Sequence, residues 1–385
     1  MLQIAAHMLT GGAPATASVR REDACPKDWR NLADDASEPT AFCEEWFLGP
    51  ALRHLQNGSD VRLVDVRDGG GNLIGLIPLT RHNRYGRMPV RHVRNWMHFQ
   101  CFMGSPLVRR GEEEPFWLAI IDWLDASNWA QGLFTLSGIL EDGPLHRGLA
   151  QAAQLLGRPC PTVHRYSRAA LASTLAPEEY LATHVRSKKR KELRRLANRL
   201  ADTGTVSFHT LSDSAQLGEW NSAFLALEAA GWKGERGAAM GNDPATRAFF
   251  AEMMSAAYRA GKLDFQRLDL DGRAIAMLIN FRTPPGSWSF KIAYDEDLAR
   301  FSPGVLIELE NLAKMLNDPE IDWMDSCAVQ DHPMINSLWA ERRTLVQLTV
   351  PLSGARRQLI YRTCHAAETS SAWLRNTLGR TGGGT

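Results

Sequence analysis

The chain has 385 residues, of which 44% are hydrophobic and 23% are charged, a balance that is ordinary for a globular protein. Its length favours two domains over one. Because the formal net charge is +1, composition argues against a general affinity for nucleic acids or other polyanions, and any charge argument must be local.

Six cysteines are scattered along the chain without a CxxC pair. This spacing argues against a zinc site and a dense disulfide framework, and it fits a reducing compartment. Gly11, Gly12 and Pro14 interrupt the mildly apolar start, so we predict no signal peptide. No run of about eighteen apolar residues exists, so we predict no membrane span and a cytoplasmic location.

The first half alternates predicted strands and helices. Val61–Arg67 and Leu73–Leu79 flank a Gly-rich turn, which predicts a hairpin. A helix is predicted before this hairpin at Thr40–Leu55, and an extended run after it at Val90–Met103. The next predicted elements are a helix at Pro115–Leu124, a strand at Gly132–Leu136, a helix at Leu145–Leu156 and a strand at Thr162–Leu171.

Pro177–Ala201 differs in composition from everything around it. Pro177 suits the start of a helix and Gly204 its end, so the sequence predicts one long helix. Its thin apolar stripe consists of Val185, Leu193, Leu196 and Leu200. Its cations, opposed by Glu192 alone, are Arg186, Lys188, Lys189, Arg190, Lys191, Arg194, Arg195 and Arg199.

The second half repeats the order of the first. Its predicted elements are helices at Asp213–Ala230 and Asp243–Ala260, a hairpin of Leu263–Asp269 with Ala274–Phe281, a strand at Ser287–Tyr294, a helix, a strand at Ile321–Met324, a short helix at Met334–Trp339, a strand at Thr344–Val350 and a helix at Leu352–Leu378. This repetition predicts a duplicated α/β unit with a mostly antiparallel sheet. The predicted divisions are a disordered N-terminus at 1–20, a first domain at 21–175, a basic linking helix at 176–203, a second domain at 204–351, and a C-terminal helix and flexible tail at 352–385.

The stretch Lys291–Leu316 leads from the end of a strand, through a Ser-Pro-Gly turn, into a helix. Ser302 suits the N-cap and Pro303 the first helical position. Gly304 allows the backbone to approach a ligand closely. A helix N-terminus after a small-residue turn presents N–H groups to an anion, so we predict a phosphate site here; an ordinary capped helix is the alternative.

Five segments of the second half together carry a resemblance to a known family. They are Arg186–Arg195, Glu228–Gly234, Leu268–Gly272, Lys291–Asp295 and Phe301–Gly304. Over roughly Pro177–Val350 the chain resembles a GNAT-type acyltransferase domain, of the kind associated with cellulose and exopolysaccharide biosynthesis. The duplicated layout also resembles the Fem-type aminoacyl transferases, which carry two such domains.

This resemblance implies two tandem acyl-CoA N-acyltransferase domains with mixed, mostly antiparallel sheets flanked by helices. It also implies acetyl-CoA or another acyl-CoA as donor, an amine or hydroxyl acceptor, and no metal. The residues expected at the donor phosphates are Arg300, Phe301, Ser302, Gly304, Val305 and Leu306. The equivalent junction of the first half, Gly104–Pro115, carries three consecutive glutamates that repel phosphate, so we expect the second half alone to bind the donor.

Acyl transfer to an amine needs a base, an oxyanion donor and protonation of the leaving thiolate. We predict Asp325 and His332 as candidate bases and Tyr294 as the acid, with a turn residue, a helix cap and an ordinary strand aromatic as the respective alternatives. Cys327 suits a small buried residue better than a nucleophile. The residues predicted to bind the acceptor, partly in a glycine-rich loop that could form a lid, are Glu228, Trp232, Lys233, Lys291 and Asp295.

We therefore expect an enzyme that moves an acetyl or other acyl group from CoA, by direct attack, to an amine on an amino sugar or another precursor of the cell envelope or of a polysaccharide. The alternatives are an aminoacyl-tRNA-dependent Fem-like transferase and a non-catalytic accessory protein of a polysaccharide locus. The basic helix fits a solvated face, recognition of phosphate on CoA or on a nucleotide-linked sugar, or RNA contact. The net charge and the absence of a second basic cluster argue against tRNA, and DNA is not expected. Acceptor identity and oligomeric state are not encoded in any recognisable pattern.

Overall fold

The computed structural model describes residues 13–20, 29–231 and 239–379. In chain order its strands are β1 (Thr16–Arg20), β2 (Val61–Arg67), β3 (Leu73–His82), β4 (His92–Asn95), β5 (Leu107–Val108), β6 (Leu133–Leu140), β7 (Thr162–Leu171), β8 (Val206–Thr210), β9 (Leu263–Leu270), β10 (Arg273–Thr283), β11 (Gly286–Tyr294), β12 (Trp323–Asp325) and β13 (Glu341–Pro351). Its α-helices are α1 (Trp29–Asp34), α2 (Glu45–His54), α3 (Glu113–Ala126), α4 (Pro144–Leu155), α5 (Pro177–His184), α6 (Ser187–Ala201), α7 (Leu217–Ala230), α8 (Pro244–Arg259), α9 (Pro303–Leu316) and α10 (Ala355–Gly379).

The chain divides into two compact units that are interleaved in sequence. The first unit comprises Met1–Glu38, Gly58–Tyr166 and Leu345–Thr385, and the second comprises Pro39–Asn57 and Ser167–Thr344. The divisions therefore fall inside β7 and β13, whereas the boundaries predicted from sequence were linear. Helix α2 belongs to the second unit, and α10 belongs to the first.

In the first unit the strand order is β1-β2-β3-β4-β6-β13, with β5 beside β3. Neighbours are antiparallel except β4 and β6, which pair in parallel at Val93 and Arg94 with Phe134 and Thr135. Helices α3 and α4 cover this sheet, because their apolar residues recur at helical spacing and are fully buried. The core residues of α3 and α4 include Phe116, Trp117, Ile120, Ile121, Leu124, Leu145 and Leu149.

In the second unit the strand order is β8-β9-β10-β11-β12-β7. Again one pair is parallel, β11 with β12, and the other neighbours are antiparallel. One face of β10 packs against α9 through Ala276 and Leu278, and the opposite face packs against α2 through Phe281. The alternation of β10 side chains therefore places helices on both faces of the sheet.

The two units share a pairing pattern that supports a duplication. Each sheet has three antiparallel neighbour pairs, one parallel pair and a last antiparallel strand. In the first unit that last strand is β13, from the second half of the chain; in the second unit it is β7, from the first half. A predicted duplicated α/β architecture with a mixed, mostly antiparallel sheet is confirmed, whereas the exchange of the last strands was not predicted.

The prediction of one continuous helix at Pro177–Ala201 is wrong. Val185 has φ −102° and ψ 123°, an extended conformation, and its side chain is buried. A β-branched residue that turns into the core favours this conformation over a helical one. Helix α5 therefore ends at His184, and the basic helix proper, α6, begins at Ser187.

Two further elements differ from the sequence-based predictions. Residues 16–20, expected to be disordered, form β1, which pairs with β2 through register partners such as Ser18 and Asp65. The edge strand β8 was not predicted, because its residues are largely exposed and give no apolar pattern. No helix in the part of the chain that the structure describes is long and apolar enough to cross a membrane.

Candidate functional site

The central feature of the second unit is the divergence of β11 from β12. The two strands pair only from Gly286 to Trp288 on β11, opposite Trp323 to Asp325 on β12. Strand β11 then continues to Tyr294, and among the described residues this later part pairs with β10 alone. The divergence opens a gap beside β11 beyond Trp288, where an extended ligand can lie.

A β-bulge lies at the point of divergence. The register with β10 shifts between Ile279, opposite Lys291, and Asn280, opposite Ser289, so that Phe290 is the extra residue. A bulge increases the local twist and redirects side chains. Here the ammonium group of Lys291 lies 5.7 Å from the centroid of the Phe290 ring.

The bulge brings together two predicted acceptor-binding residues, Lys291 and Glu228. The Lys291 Nζ lies 4.0 Å from Glu228 Oε1 at the end of α7, and both side chains are largely buried. Glu228 Oε2 accepts a hydrogen bond of 2.8 Å from the Met240 N–H. Trp232 and Lys233, predicted to act with them, lie outside the described residues.

Beyond β11, a 3-10 helix at Glu296–Phe301 leads to α9. Asp295 caps this short helix by accepting from the Asp297 N–H at 3.0 Å, and it forms an ion pair with Arg273. These contacts give Asp295 a structural role, although it was predicted to bind the acceptor. Ser302 occupies the N-cap of α9 with φ 55° and ψ 51°, and its side chain makes no capping hydrogen bond.

The N-terminus of α9 offers fewer amide groups to an anion than predicted. Pro303 has no N–H, and the N–H groups of Val305 and Leu306 both donate to the Ser302 carbonyl, at 2.9 and 3.1 Å. The Gly304 N–H has no acceptor within the described residues. Phe301 and Leu306 are buried, so their side chains support the junction from below, whereas Arg300 is exposed.

The close approach of the Tyr294 ring explains why position 304 is a glycine. A Cβ atom at position 304 would lie 3.0 Å from Tyr294 Cδ1, closer than normal packing allows. The glycine therefore lets the tyrosine ring lie over the start of α9. This arrangement places the predicted acid, Tyr294, next to Gly304.

Asp325, a predicted base, is fully buried at the end of β12. Its Oδ1 lies 2.6 Å from Arg168 Nε and accepts from the Cys327 N–H at 2.9 Å, and its Oδ2 lies 3.6 Å from Arg343 Nε. The carboxylate thus lies between the buried Arg168 guanidinium and the partly buried Arg343 guanidinium, and its negative charge offsets theirs. This geometry favours a structural role over proton transfer.

His332, the other predicted base, is half-buried in the segment after β12. Its Nδ1 faces the Ile335 N–H at 3.4 Å, at the start of a 3-10 helix at Ile335–Ser337. This contact lies at the entry to the 3-10 helix, whose N-cap is Met334. The structure thus brings Glu228 and Lys291 together and Tyr294 and Gly304 together, but gives Asp325 and His332 separate structural partners.

A buried polar network behind the site was not predicted. It connects β9, β10 and α9, where the Asn280 Nδ2 donates to Asp264 at 3.0 Å and to Asn311 at 2.8 Å. Asn311 in turn donates to Glu308 at 3.2 Å. Burial raises the pKa of Glu308 to about 7. The available signal was the polar pair Glu308 and Asn311 at positions that the helical period of α9 assigns to the core.

The N-terminus of α3 in the first unit carries the acidic residues noted in the sequence. Glu112 precedes the helix, and Glu113 and Glu114 occupy its first turn. Burial and the neighbouring charges of Asp68 and Glu113 raise the pKa of Glu112. These carboxylates disfavour an anion at this position. No cluster of His, Cys, Asp or Glu suited to a metal ion occurs among the residues that the structure covers.

Comparison with known proteins agrees with this geometry. Residues 187–331 match the model of the acetyltransferase (GNAT) domain. No curated protein matches the sequence.

Three solved structures resemble the chain at low identity. A conserved protein of unknown function from Bacteroides thetaiotaomicron shares 11% identity over 88% of this chain and 100% of that one, with a TM-score of 0.56. FemX shares 10% identity over 86% of this chain and 96% of that one, with a TM-score of 0.53. A tandem GNAT protein from the clavulanic acid biosynthesis pathway shares 16% identity over 87% and 98%, with a TM-score of 0.44, too low to carry an argument.

At these identities the first two structures show a shared fold and say nothing about substrates. The predicted fold class is confirmed. The divergent strands and the start of α9 both lie within residues 187–331, the region that matches the model of the acetyltransferase (GNAT) domain.

Proposed function

We propose that the second unit is an acyl-CoA-dependent N-acyltransferase. The observation that carries this proposal is the divergence of β11 from β12 beyond Trp288, followed along the chain by the start of α9. Pantetheine is an extended chain, which suits the gap between two diverging strands. Its pyrophosphate suits the positive end of a helix of 14 residues.

In this arrangement the thioester lies near the bulge and the phosphates lie near Gly304. Glu228 then faces the acceptor side, where its carboxylate binds the ammonium of the incoming amine and Lys291 keeps it oriented. The bound ammonium loses a proton to water, and the free amine attacks the thioester carbonyl directly. The C–N bond forms, the acyl C–S bond breaks, the nitrogen gives its second proton to water, and the thiolate takes up a proton from Tyr294 or from water. The donor would be acetyl-CoA and the acceptor an amino sugar or another precursor of the cell envelope or of a polysaccharide.

Thermal unfolding with and without acetyl-CoA tests donor binding. A ligand at about 100 times its Kd stabilises the folded state by about 2.7 kcal/mol, so a clear rise in Tm is expected. Thiol release in the presence of a panel of amino sugars and other amines then tests turnover. Absence of a response to every CoA ester tried would refute the proposal.

Two alternatives predict different results in the same experiments. A tRNA-dependent transferase would bind tRNA with an affinity that falls steeply with salt, and would release no thiol from acetyl-CoA. A non-catalytic accessory protein would bind neither donor.

A further inference from the structure

The start of α9 presents too little positive charge for the phosphates of CoA. One N–H group, that of Gly304, has no acceptor among the described residues, and Pro303 offers none. CoA carries a pyrophosphate and a third phosphate on the 3′ oxygen of its ribose. Side chains near the junction must therefore supply much of the charge that holds this end of the donor.

Helix α6 is the strongest concentration of positive charge in the chain. Residues 186–199 include eight cations and one carboxylate, Glu192, which pairs with Lys189 at 3.4 Å. The cations Lys188, Lys191, Arg194, Arg195 and Arg199 are exposed and have no carboxylate partner within the described residues. Because the cations on this face repel one another, binding of an anion there is favourable.

The apolar stripe of α6 fixes which end of the helix lies near the junction. Leu193 belongs to the same core cluster as Leu312 and Met315, in the later turns of α9. Leu200 belongs to the cluster that contains Phe301 and Leu306, at the start of α9. Helices α6 and α9 therefore pack antiparallel, and the C-terminal end of α6 lies beside the start of α9.

Two guanidinium groups lie near the ring of Phe301 at this end. The Arg199 Cζ lies 5.9 Å from the ring centroid, and the Arg300 Cζ lies 4.8 Å from it. Both side chains are exposed, and neither has a carboxylate partner in the described part of the chain. Arg195 lies one helical turn before Arg199 on the same face of α6.

We infer that Arg199 and Arg300, assisted by Arg195, bind the 3′-phosphate of the CoA donor. This assignment rests on the proposed function. Arg300 is two residues from the α9 N-cap. Arg199 adds a second positive charge near the Phe301 ring. The pyrophosphate takes the helix end and the ribose phosphate takes the arginine pair, which suits phosphate because the guanidinium group is planar and donates in pairs.

Titration of the full chain with CoA and with 3′-dephospho-CoA tests the assignment. We expect CoA to bind about tenfold more tightly, since charge-assisted hydrogen bonds lost with the phosphate are worth on this order. Arg199→Gln should bring the ratio of the two dissociation constants close to one and leave binding of 3′-dephospho-CoA unchanged. Arg300→Gln should act in the same direction.

Lys188→Gln is the matched control. It removes an equally exposed cation from the same helix, 11 residues and hence about 16 Å away from Arg199. The ratio should stay at its wild-type value in this variant. Because Arg199 also lies in the last turn of α6, it contributes to the stability of that helix, but a purely structural role would weaken binding of both ligands alike.

The outcomes separate the two levels of the argument. Equal binding of CoA and 3′-dephospho-CoA by the wild-type protein would overturn the phosphate assignment and leave the donor site intact. An unchanged ratio in Arg199→Gln would overturn it as well. Failure to bind either compound would refute the proposed function, and the assignment would fall with it.

Discussion

Glu308→Gln should stabilise the protein at neutral and alkaline pH. Glu308 is fully buried on α9, and its Oε2 accepts from the Asn311 Nδ2 at 3.2 Å. Burial raises its pKa from 4.5 to about 7. A glutamine keeps the acceptor oxygen and the shape of the side chain but carries no charge, so it removes the cost of ionising a buried carboxyl.

The size and sign of the effect follow from the two pKa values. Because the pKa is higher in the folded state, folding binds a proton, and the stability from Glu308 is complete below about pH 4.5 and is lost as the pH rises through about 7. The raised pKa of Glu308 corresponds to about 3 kcal/mol. We therefore expect the free energy of unfolding of Glu308→Gln to exceed that of the wild type by about 3 kcal/mol at pH 8 and by much less at pH 4.5.

Urea unfolding of both proteins from pH 4.5 to 8 measures this difference. Glu310→Gln, an exposed position two residues away on the same helix, should show no such pH-dependent gain. If the difference between Glu308→Gln and the wild type were constant over this range, or grew as the pH fell, the buried-carboxyl argument would be wrong.

Three further substitutions examine the site. Asp325→Asn should destabilise the protein by about 3 kcal/mol in urea unfolding, since it leaves the Arg168 charge buried without its counterion, whereas a variant that kept its stability but lost turnover would restore Asp325 as the base. Gly304→Ala should cost about 1–2 kcal/mol, because the new Cβ meets Tyr294 at 3.0 Å, and it should weaken CoA binding in calorimetry unless Tyr294 is also changed to alanine. Glu228→Gln should lower kcat/KM for the amine at least about tenfold and leave the Kd of acetyl-CoA unchanged; equal loss of both would show that it supports the donor site instead.

Local patterns predicted most of the elements and the position of the junction between β11 and α9. The hairpin of β2 and β3 and the start of α9 at Pro303 follow from turn chemistry and hydrophobic period, which act over a few residues. The roles of residues that depend on contacts with distant parts of the chain could not be predicted in this way. The sequence around Asp325 shows a carboxylate at a strand end, but not that Arg168 and Arg343 lie beside it.

The start of α9 shows a second case in which tertiary structure, and not residue type, decides the outcome. Ser-Pro-Gly correctly marked the start of α9, yet the number of amide groups left for a ligand depends on the left-handed conformation of Ser302 and on its carbonyl accepting twice. Neither property is visible in residue types, since serine rarely takes a positive φ. The basic helix was likewise visible as a charge pattern, but its relation to Phe301 required the packing of Leu200.

The interleaving of the two units sets how much chain the proposed transferase needs. The region that matches the GNAT domain, 187–331, lacks the 39–57 segment, although Phe42, Trp46 and Phe47 pack on the aromatic face of β10 and β11. Burying aromatic side chains of this size is worth several kcal/mol in total, comparable with the whole stability of a domain. A fragment of residues 187–331 should therefore expose this face, bind a hydrophobic dye and unfold without a cooperative transition. Cooperative unfolding of that fragment, measured by calorimetry, would show that α2 is dispensable and that the transferase unit is continuous in sequence.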